Sequence, residues 1–376
     1  GSGNDIAKFF INTDESVVMS GVETVELQAS AASNFTASNV TDVDTFVSNQ
    51  STADLEITGI TNNAALKAVS AAGNATDDMK VTYGTGALAS SSAALSLVAD
   101  GVGSSATNFE FDVTTTGTDK FTTLNLKGEN NKSYVELDGT AGDVDLATVN
   151  GSGDAMVVLG DAQFELVNVT NVNLEASTGG MDIDLATSSN AQNVTVVGGA
   201  GNDTVRFAAG QFNTNDNVNL GDGVLDTIIT GDAAFTSSTS AVVKALNAAS
   251  NVEVAGSSVT AANGISVDMS VLTGINGFTF GGITPANNVA NAAGDVAASL
   301  TFQNDDTFYI TGNVIGGTSA VGDSSGGDAI NAAAKTNSGS DALNLTFNAA
   351  SNVTGGASQD TTANGGEAAG DGLDAS

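Results

Sequence analysis

Apolar and polar residues alternate in short runs along the whole chain. Such runs occur at residues 22–27, 54–57, 109–113, 123–126, 181–185, 193–197 and 343–347. A period of two places one set of side chains on a buried face and the other on a solvated face. Gly, Asn, Asp and Ser separate the runs, as expected of turns. The pattern predicts an all-β chain built of many short strands.

The spacing of these strands, roughly 10 to 20 residues, fits a sandwich, a barrel or a solenoid. Internal similarity favours the solenoid, because the segment 20–27 parallels the segment 167–174. A repeated turn-and-strand unit cannot bury its own apolar face, whereas stacked copies can. We therefore expect an elongated parallel β-solenoid, a β-helix or β-roll, with Val205-type residues stacked inside. Each coil would use roughly 20 residues.

The charge of the chain is strongly negative: 43 acidic residues stand against 9 basic ones, for a formal net charge of −34. Such a surface repels nucleic acids and anionic lipids, so neither is an expected partner. Hard divalent cations, above all calcium, prefer carboxylate and carbonyl oxygens. The excess of acids therefore indicates a calcium-dependent chain. The alternative is that the acids serve solubility alone, as in halophilic proteins.

Several residue types are missing, and their absence excludes reaction classes. The chain has no His and no Cys, so Ser-His-Asp triads, thiol nucleophiles and ordinary zinc or copper sites are excluded. It has 3 Tyr and no Trp, too few aromatic platforms for a glycan-processing site. No run approaches the roughly 20 apolar residues that span a bilayer. We expect neither an enzyme nor membrane insertion.

One segment carries a motif with specific chemistry. Residues 198–206, GGAGNDTVR, fit the nonapeptide G-G-x-G-x-D-x-U-x at every fixed position. The glycines permit a tight turn whose carbonyl groups point inward. Asp203 adds a carboxylate at the same point. The chain then continues as a strand in which Val205 faces the core. Calcium held by such a turn would tie it to the neighbouring coil.

Degenerate copies follow at 216–220, 221–229 and 231–232. We predict calcium ligands from the carboxylates of Asp203 and Asp226, with Asp216, Asp222 and Asp232 as lesser candidates. Backbone carbonyls would complete a shell of 6–8 oxygens; they belong to Gly199, Gly201, Gly221 and Gly223. The alternative is that these segments are ordinary Asp-Gly turns between strands.

At these residues the sequence resembles the RTX (repeat-in-toxin) proteins. The Asn-, Thr- and Ala-rich strands around the motif resemble more specifically RTX-type surface-layer (S-layer) proteins, such as the surface-array proteins of Caulobacter and Campylobacter. The resemblance implies type I secretion, a parallel β-roll, and calcium-driven folding and lattice assembly at the cell surface. It also implies self-association, and cell-surface lipopolysaccharide as an anchoring partner through a region not seen here. The chain departs from the family in lacking tandem perfect nonapeptides.

The expected division of the chain has four parts. They are a β-rich solenoid region at 1–197, an RTX-like calcium-binding block at 198–232, a second β-rich region with inserted loops at 233–353, and a flexible tail or linker at 354–376. Ala-rich segments predict short inserted helices at 87–99, 240–249 and 328–334, and a Gly-, Ser- and Asp-rich segment predicts a surface loop at 316–340. We expect these residues to be part of a longer protein.

The favoured function is a secreted structural subunit of a self-assembling bacterial surface layer. A large secreted adhesin, or a matrix filament protein with calcium-binding β-repeats, is the alternative. Imperfect tandem domains with identical linkers would favour that alternative, and they are not evident. A secreted hydrolase with an RTX tail is less favoured, because a catalytic domain should show His, Trp or clustered acids.

Overall fold

The structure is a computed structural model. It describes residues 3–70, 78–88, 92–140, 142–160, 166–186, 193–259 and 265–280, together with short backbone segments at 298–302, 307–310, 314–315, 330–334, 344–347, 353–354 and 374–375.

The described residues are almost entirely β-structure. The strands are β1 Ile6–Ile11, β2 Glu15–Ser16, β3 Thr24–Ala29, β4 Ser33–Thr36, β5 Thr45–Asn49, β6 Leu55–Ile60, β7 Ala65–Val69, β8 Met79–Tyr83, β9 Ala93–Asp100, β10 Phe109–Thr115, β11 Phe121–Gly128, β12 Ser133–Gly139, β13 Val144–Gly153, β14 Val157–Gly160, β15 Asn171–Ser177, β16 Met181–Asp184, β17 Thr195–Val197, β18 Thr204–Phe207, β19 Asn217–Asn219, β20 Thr227–Thr230, β21 Ala234–Phe235, β22 Val254–Ser257, β23 Ile265–Asp268, β24 Gly277–Phe280, β25 Ala298–Phe302, β26 Thr307–Ile310, β27 Val314–Ile315, β28 Ile330–Ala334, β29 Asn344–Phe347, β30 Val353–Thr354 and β31 Asp374–Ala375. The helix α1 spans Ala241–Ala248, and a 3₁₀ turn spans Met269–Val271.

The chain forms two compact units. The first comprises Gly1–Arg206 and Asn217–Val224, and the second comprises Phe207–Asp216 and Leu225–Ser376. In the first unit, the odd-numbered strands β1 to β19 form a 10-stranded sheet, and the even-numbered strands β2 to β18 are consecutive neighbours in a second sheet. Successive strands alternate between the two sheets and pair in parallel with the strand two positions away. This is a parallel β-solenoid of about 10 turns, as the alternation and the internal similarity together predicted.

The strands of the second unit also pair in parallel with strands further along the chain. The strands β20, β22, β24, β26 and β29 are consecutive neighbours in one parallel sheet, and β21, β23, β25, β28 and β31 form a 5-stranded sheet. A further pair joins β27 and β30.

The core of the first unit consists of apolar side chains stacked coil upon coil. Leu55 pairs in register with Met79, Met79 with Phe111, and Phe111 with Leu137, and all four are buried. Each such side chain contributes about 1.5–3 kcal/mol when it is fully buried. Val205 of the nonapeptide is 0% exposed, so its predicted inward orientation is confirmed. A one-residue slip would turn the whole apolar set outward, so the alternation also specifies the register.

The predicted helices have mixed outcomes. The helix expected at 240–249 is confirmed by α1, whose N-cap Ser240 accepts a hydrogen bond from the Val243 N–H. The helix expected at 87–99 is wrong, because β9 occupies Ala93–Asp100 and pairs with β7 and β11. The helix expected at 328–334 is also wrong, because Ile330–Ala334 is the strand β28. Alternating burial between neighbouring strands outweighs the helix propensity of Ala in β9.

Two predicted irregular segments fall mostly outside the described residues. Of the loop expected at 316–340, only β28 is described, and it is a strand. Of the tail expected at 354–376, only the end of β30 at Thr354 and the short strand β31 are described. The four-part division of the chain stays a prediction.

Candidate metal centre

Residues 198–203 of the nonapeptide form the turn between β17 and β18 in the first unit, and its last three residues begin β18. Asp203 lies directly before β18 and is 0% exposed. Its Oδ1 accepts a hydrogen bond from the Met181 N–H at 2.8 Å, and its Oδ2 accepts one from the Gly199 N–H at 2.7 Å. Met181 begins β16, the neighbour of β18 in the second sheet. The carboxylate therefore connects two consecutive coils.

Burial raises the pKa of Asp203 above its ordinary value, while the Gly199 and Met181 amides oppose that rise. A raised folded-state pKa means that the folded protein binds the proton more tightly than the unfolded chain does. The folded protein therefore loses stability as the pH rises from the unfolded-state pKa of Asp203 to its raised folded-state pKa, where the side chain becomes ionised. A cation near the carboxylate would offset this penalty.

The glycines of this turn are required by the close approach of neighbouring backbone. A Cβ at Gly199 would overlap the carbonyl oxygens of Ser177 and Leu174, which belong to β15 of the preceding coil. Gly221 has φ +90°, in the left-handed region that favours glycine, and a Cβ there would overlap the Gly199 carbonyl oxygen. Carbonyl oxygens of neighbouring coils thus crowd around the Gly199 turn.

The predicted ligands are not all brought together. In the first unit, Gly199 and Gly201 are buried, Gly221 and Gly223 are half-buried, and Asp222 is exposed. The Asp222 N–H donates to the Gly199 carbonyl at 2.8 Å. In the residues that the structure describes, no group of three or more His, Cys, Asp or Glu side chains could hold a metal ion.

The remaining candidates belong to the second unit. Asp226 is 0% exposed and directly precedes β20, and its N–H donates to Glu253 Oε2 at 2.9 Å. The Asp216 carboxylate accepts from the Asn213 N–H at 2.8 Å, and that of Asp232 accepts from the Gly210 N–H at 3.4 Å. The carboxylates of Asp216 and Asp232 thus accept backbone N–H groups within the second unit.

Ser177 is a polar residue of this region that the sequence did not single out. Its Oγ is buried and has no hydrogen-bond partner, and its carbonyl accepts from the Ala200 N–H at 3.0 Å. A buried hydroxyl without a partner carries a desolvation cost of about 1–3 kcal/mol. The only signal in the sequence would have been the polar Ser177 at an inward-facing strand position.

The donor types around the Gly199 turn fit calcium: a buried carboxylate, crowded carbonyl oxygens and the Ser177 hydroxyl. The two oxygens of Asp203 already accept amide hydrogen bonds. A calcium ion would therefore share the carboxylate with these donors. The sequence did not reveal this second role of Asp203.

The same use of carboxylates recurs elsewhere in the first unit. Asp54 Oδ1 accepts from the Asp78 N–H at 3.2 Å, and Asp78 Oδ1 accepts from the Glu110 N–H at 3.1 Å. Asp54 and Asp78, like Asp203, directly precede a strand of the second sheet. An Asp at this position thus bridges adjacent coils through backbone amides, so the Asp-strand pattern by itself does not identify a metal site.

Arg206, at the last position of the nonapeptide, forms a second connection between these coils. It is the single arginine of the chain, and it donates from Nε to Asp182 Oδ1 at 2.9 Å and from an Nη to Asp182 Oδ2 at 2.7 Å. Bidentate pairs of this kind are stronger and more directional than single hydrogen bonds. The turn residue Asp203 and the β18 residue Arg206 therefore both attach this segment to β16.

Replacing Asp203 with Asn should destabilise the first unit. The amide group of Asn offers one acceptor oxygen, so one of the two N–H donors would lose its partner and face an NH₂ group. We expect a loss of about 1–3 kcal/mol in the free energy of unfolding, measured by urea unfolding in calcium-containing buffer. Asp119→Asn is the matched control, because Asp119 has the same Gly-x-Asp context but is half-buried. Equal unfolding midpoints for the two variants would contradict the role of Asp203.

Among the described residues, no helix is long and apolar enough to cross a bilayer. Comparison with known proteins places the chain in no established group: no family model, no curated protein and no solved structure matches it.

Proposed function

We propose that this chain is a structural subunit of a secreted, self-assembling bacterial surface layer, and that calcium drives its folding and its lattice assembly. Its role is non-enzymatic, and its main partner is a second copy of itself. Export by type I secretion and anchoring to cell-surface lipopolysaccharide through another region belong to the same proposal. The proposal rests on the RTX-like nonapeptide and on the composition of the chain.

The observation that carries the proposal is the environment of Asp203. A fully buried carboxylate lies in a glycine turn that neighbouring carbonyl groups approach closely, in a chain of net charge −34. Burial raises the pKa of this carboxylate, so a cation at the turn would stabilise its ionised form. Calcium is the cation that suits carboxylate and carbonyl oxygens in a flexible shell.

The residues that would hold calcium here are Asp203, through its carboxylate, and Gly199 and Gly201, through their carbonyl groups. The Ser177 hydroxyl is a further donor in the same unit. In the second unit the buried Asp226 would be the principal candidate ligand, and Asp216 and Asp232 would be lesser candidates, each at its own position. When it is bound, calcium supplies positive charge that neutralises carboxylates and links adjacent turns.

Array formation tests the proposal directly. Purified protein should form ordered two-dimensional arrays, visible by negative-stain electron microscopy, when millimolar calcium is added. Asp203→Asn should require more calcium for assembly than Asp119→Asn does. If titration calorimetry detects calcium binding but microscopy shows only dispersed particles, the protein has a calcium site but does not form a surface layer.

A secreted adhesin or matrix filament is the second candidate, and the parallel solenoid is equally compatible with it. The same microscopy separates the two. Single fibres, or attachment to surfaces without two-dimensional order, would favour the adhesin or filament.

A further inference from the structure

The outward face of three neighbouring strands in the first unit carries acids in register. Glu110 of β10 pairs with Glu136 of β12, and Asp112 of β10 pairs with Asp138 of β12. On the other side of β10, Asp78 lies directly before β8, and its carboxylate accepts the Glu110 N–H at 3.1 Å. We call these five residues the acidic face.

The acidic face opposes the packing of its own strands. Neighbouring strands lie about 4.8 Å apart, and like charges directly opposite each other on adjacent strands destabilise a sheet. The cation facing this set is Lys80 of β8, whose Nζ lies 3.1 Å from Asp112 Oδ2. The Lys80 side chain is 53% exposed, so water and salt screen its contribution.

Glu110 is the member most affected. Burial, followed by repulsion from Asp78, Asp138, Asp112 and Glu136, raises the pKa of Glu110 to about 7. The pKa of Asp78 is also raised, chiefly by burial, while the hydrogen bond from the Glu110 N–H opposes the rise. One proton on this face would therefore relieve several repulsions at once.

We propose that the acidic face makes the coils containing β8, β10 and β12 a pH-responsive element, which packs more stably in mild acid and loosens as the pH rises to neutral. The direction follows from linkage. A carboxyl whose pKa is higher in the folded state binds more protons when folded, so stability falls as the pH rises from the unfolded value of 4.5 to about 7.

Other carboxylates limit the effect at lower pH. Ion pairing with Lys8 lowers the pKa of Glu26, and ion pairing with Lys127 and Lys67 lowers that of Glu129. Their stabilisation is lost as the pH falls through their lowered pKa values. Stability should therefore be greatest in mild acid and decline on both sides.

The test is thermal unfolding of the full chain in excess calcium, followed by circular dichroism between about pH 5.5 and 8. The melting temperature should fall by about 2–4 °C as the pH rises across this range. Glu110→Gln should raise the melting temperature at the alkaline end and flatten the pH dependence. Glu175→Gln, at an exposed position on β15, is the matched control and should change neither.

Asp138→Asn provides a second variant. It removes one repelling charge and keeps an acceptor for the Gly139 N–H, which now donates to Asp138 Oδ1 at 2.7 Å. The pH midpoint of the stability change should move downward in this variant. A wild-type melting temperature that rises with pH, or the same pH slope in wild type and Glu110→Gln, would overturn the inference. Neither outcome bears on the calcium proposal, because all samples contain calcium and Asp203 is unchanged.

Discussion

Removal of calcium with a chelator is expected to abolish both the parallel β-structure and any ordered arrays. At a net charge of −34 the unliganded chain repels itself, and compaction depends on neutralisation of buried or closely spaced carboxylates. Because the ion would bind the folded turns and not the unfolded chain, binding and folding are coupled. A single site at 100-fold excess of ligand over Kd contributes about 2.7 kcal/mol, so a few sites account for most of the stability of a typical domain.

The measurement combines far-ultraviolet circular dichroism with electron microscopy on the same samples. The β signal should disappear in chelator and return when calcium is added back, whereas an equal concentration of magnesium should restore it poorly, because magnesium demands a rigid octahedral shell. A β signal and arrays that persist unchanged without divalent ions would contradict the calcium proposal. The amide hydrogen bonds of Asp203 would then be sufficient to join the coils.

Substitution of Gly199 with Ala is expected to destabilise the first unit strongly. The new Cβ would overlap the backbone carbonyl oxygens of Ser177 and Leu174. These atoms cannot rotate away as a flexible side chain would, so the two coils must separate locally. We expect a loss of about 1–3 kcal/mol or more, together with weaker calcium binding, since the same displacement moves the Gly199 N–H away from Asp203.

Gly3→Ala is the control for this experiment, because a Cβ at Gly3 has no neighbour within 4 Å and no positive φ is recorded there. Urea unfolding and calcium titration of both variants give the comparison. If Gly199→Ala unfolds at the same urea concentration as Gly3→Ala, the close packing of coils at this turn is not a constraint on the fold.

Part of the candidate site could be predicted from the sequence. The spacing of the glycines and Asp203 predicts a tight turn with a carboxylate at the beginning of a strand, and the turn is present with Val205 buried as expected. The hydrogen bond from Met181 could not be predicted, because Met181 lies 22 residues away and its position depends on the register between coils. The burial of the Ser177 hydroxyl could not be predicted for the same reason.

The acidic face shows a similar division. Each of Asp78, Glu110 and Glu136 is an unremarkable polar residue in its own alternating run, and the sequence gives only the total charge. The pKa of Glu110 depends on its burial and on which acids stand opposite it, and both are decided by the pairing of β10 with β8 and β12. The pKa of Glu110 is raised only after the coils have stacked.

The sequence by itself determined the class of this fold. Strict alternation over short runs, with glycine-rich turns between them, leaves few ways to bury the apolar face of each strand. Parallel stacking of the coils is one of these ways, and it requires no information in the sequence beyond the repeat itself. Only the tertiary structure decided where that rule overrides local preference. The Ala-rich segment that includes Leu95 and Leu97 has good helix formers, but it lies between β7 and β11 and becomes β9. The difference in helix propensity is less than about 1 kcal/mol per residue. If this segment formed a helix, its apolar side chains would leave the stacked core, and the burial of each contributes about 1.5–3 kcal/mol.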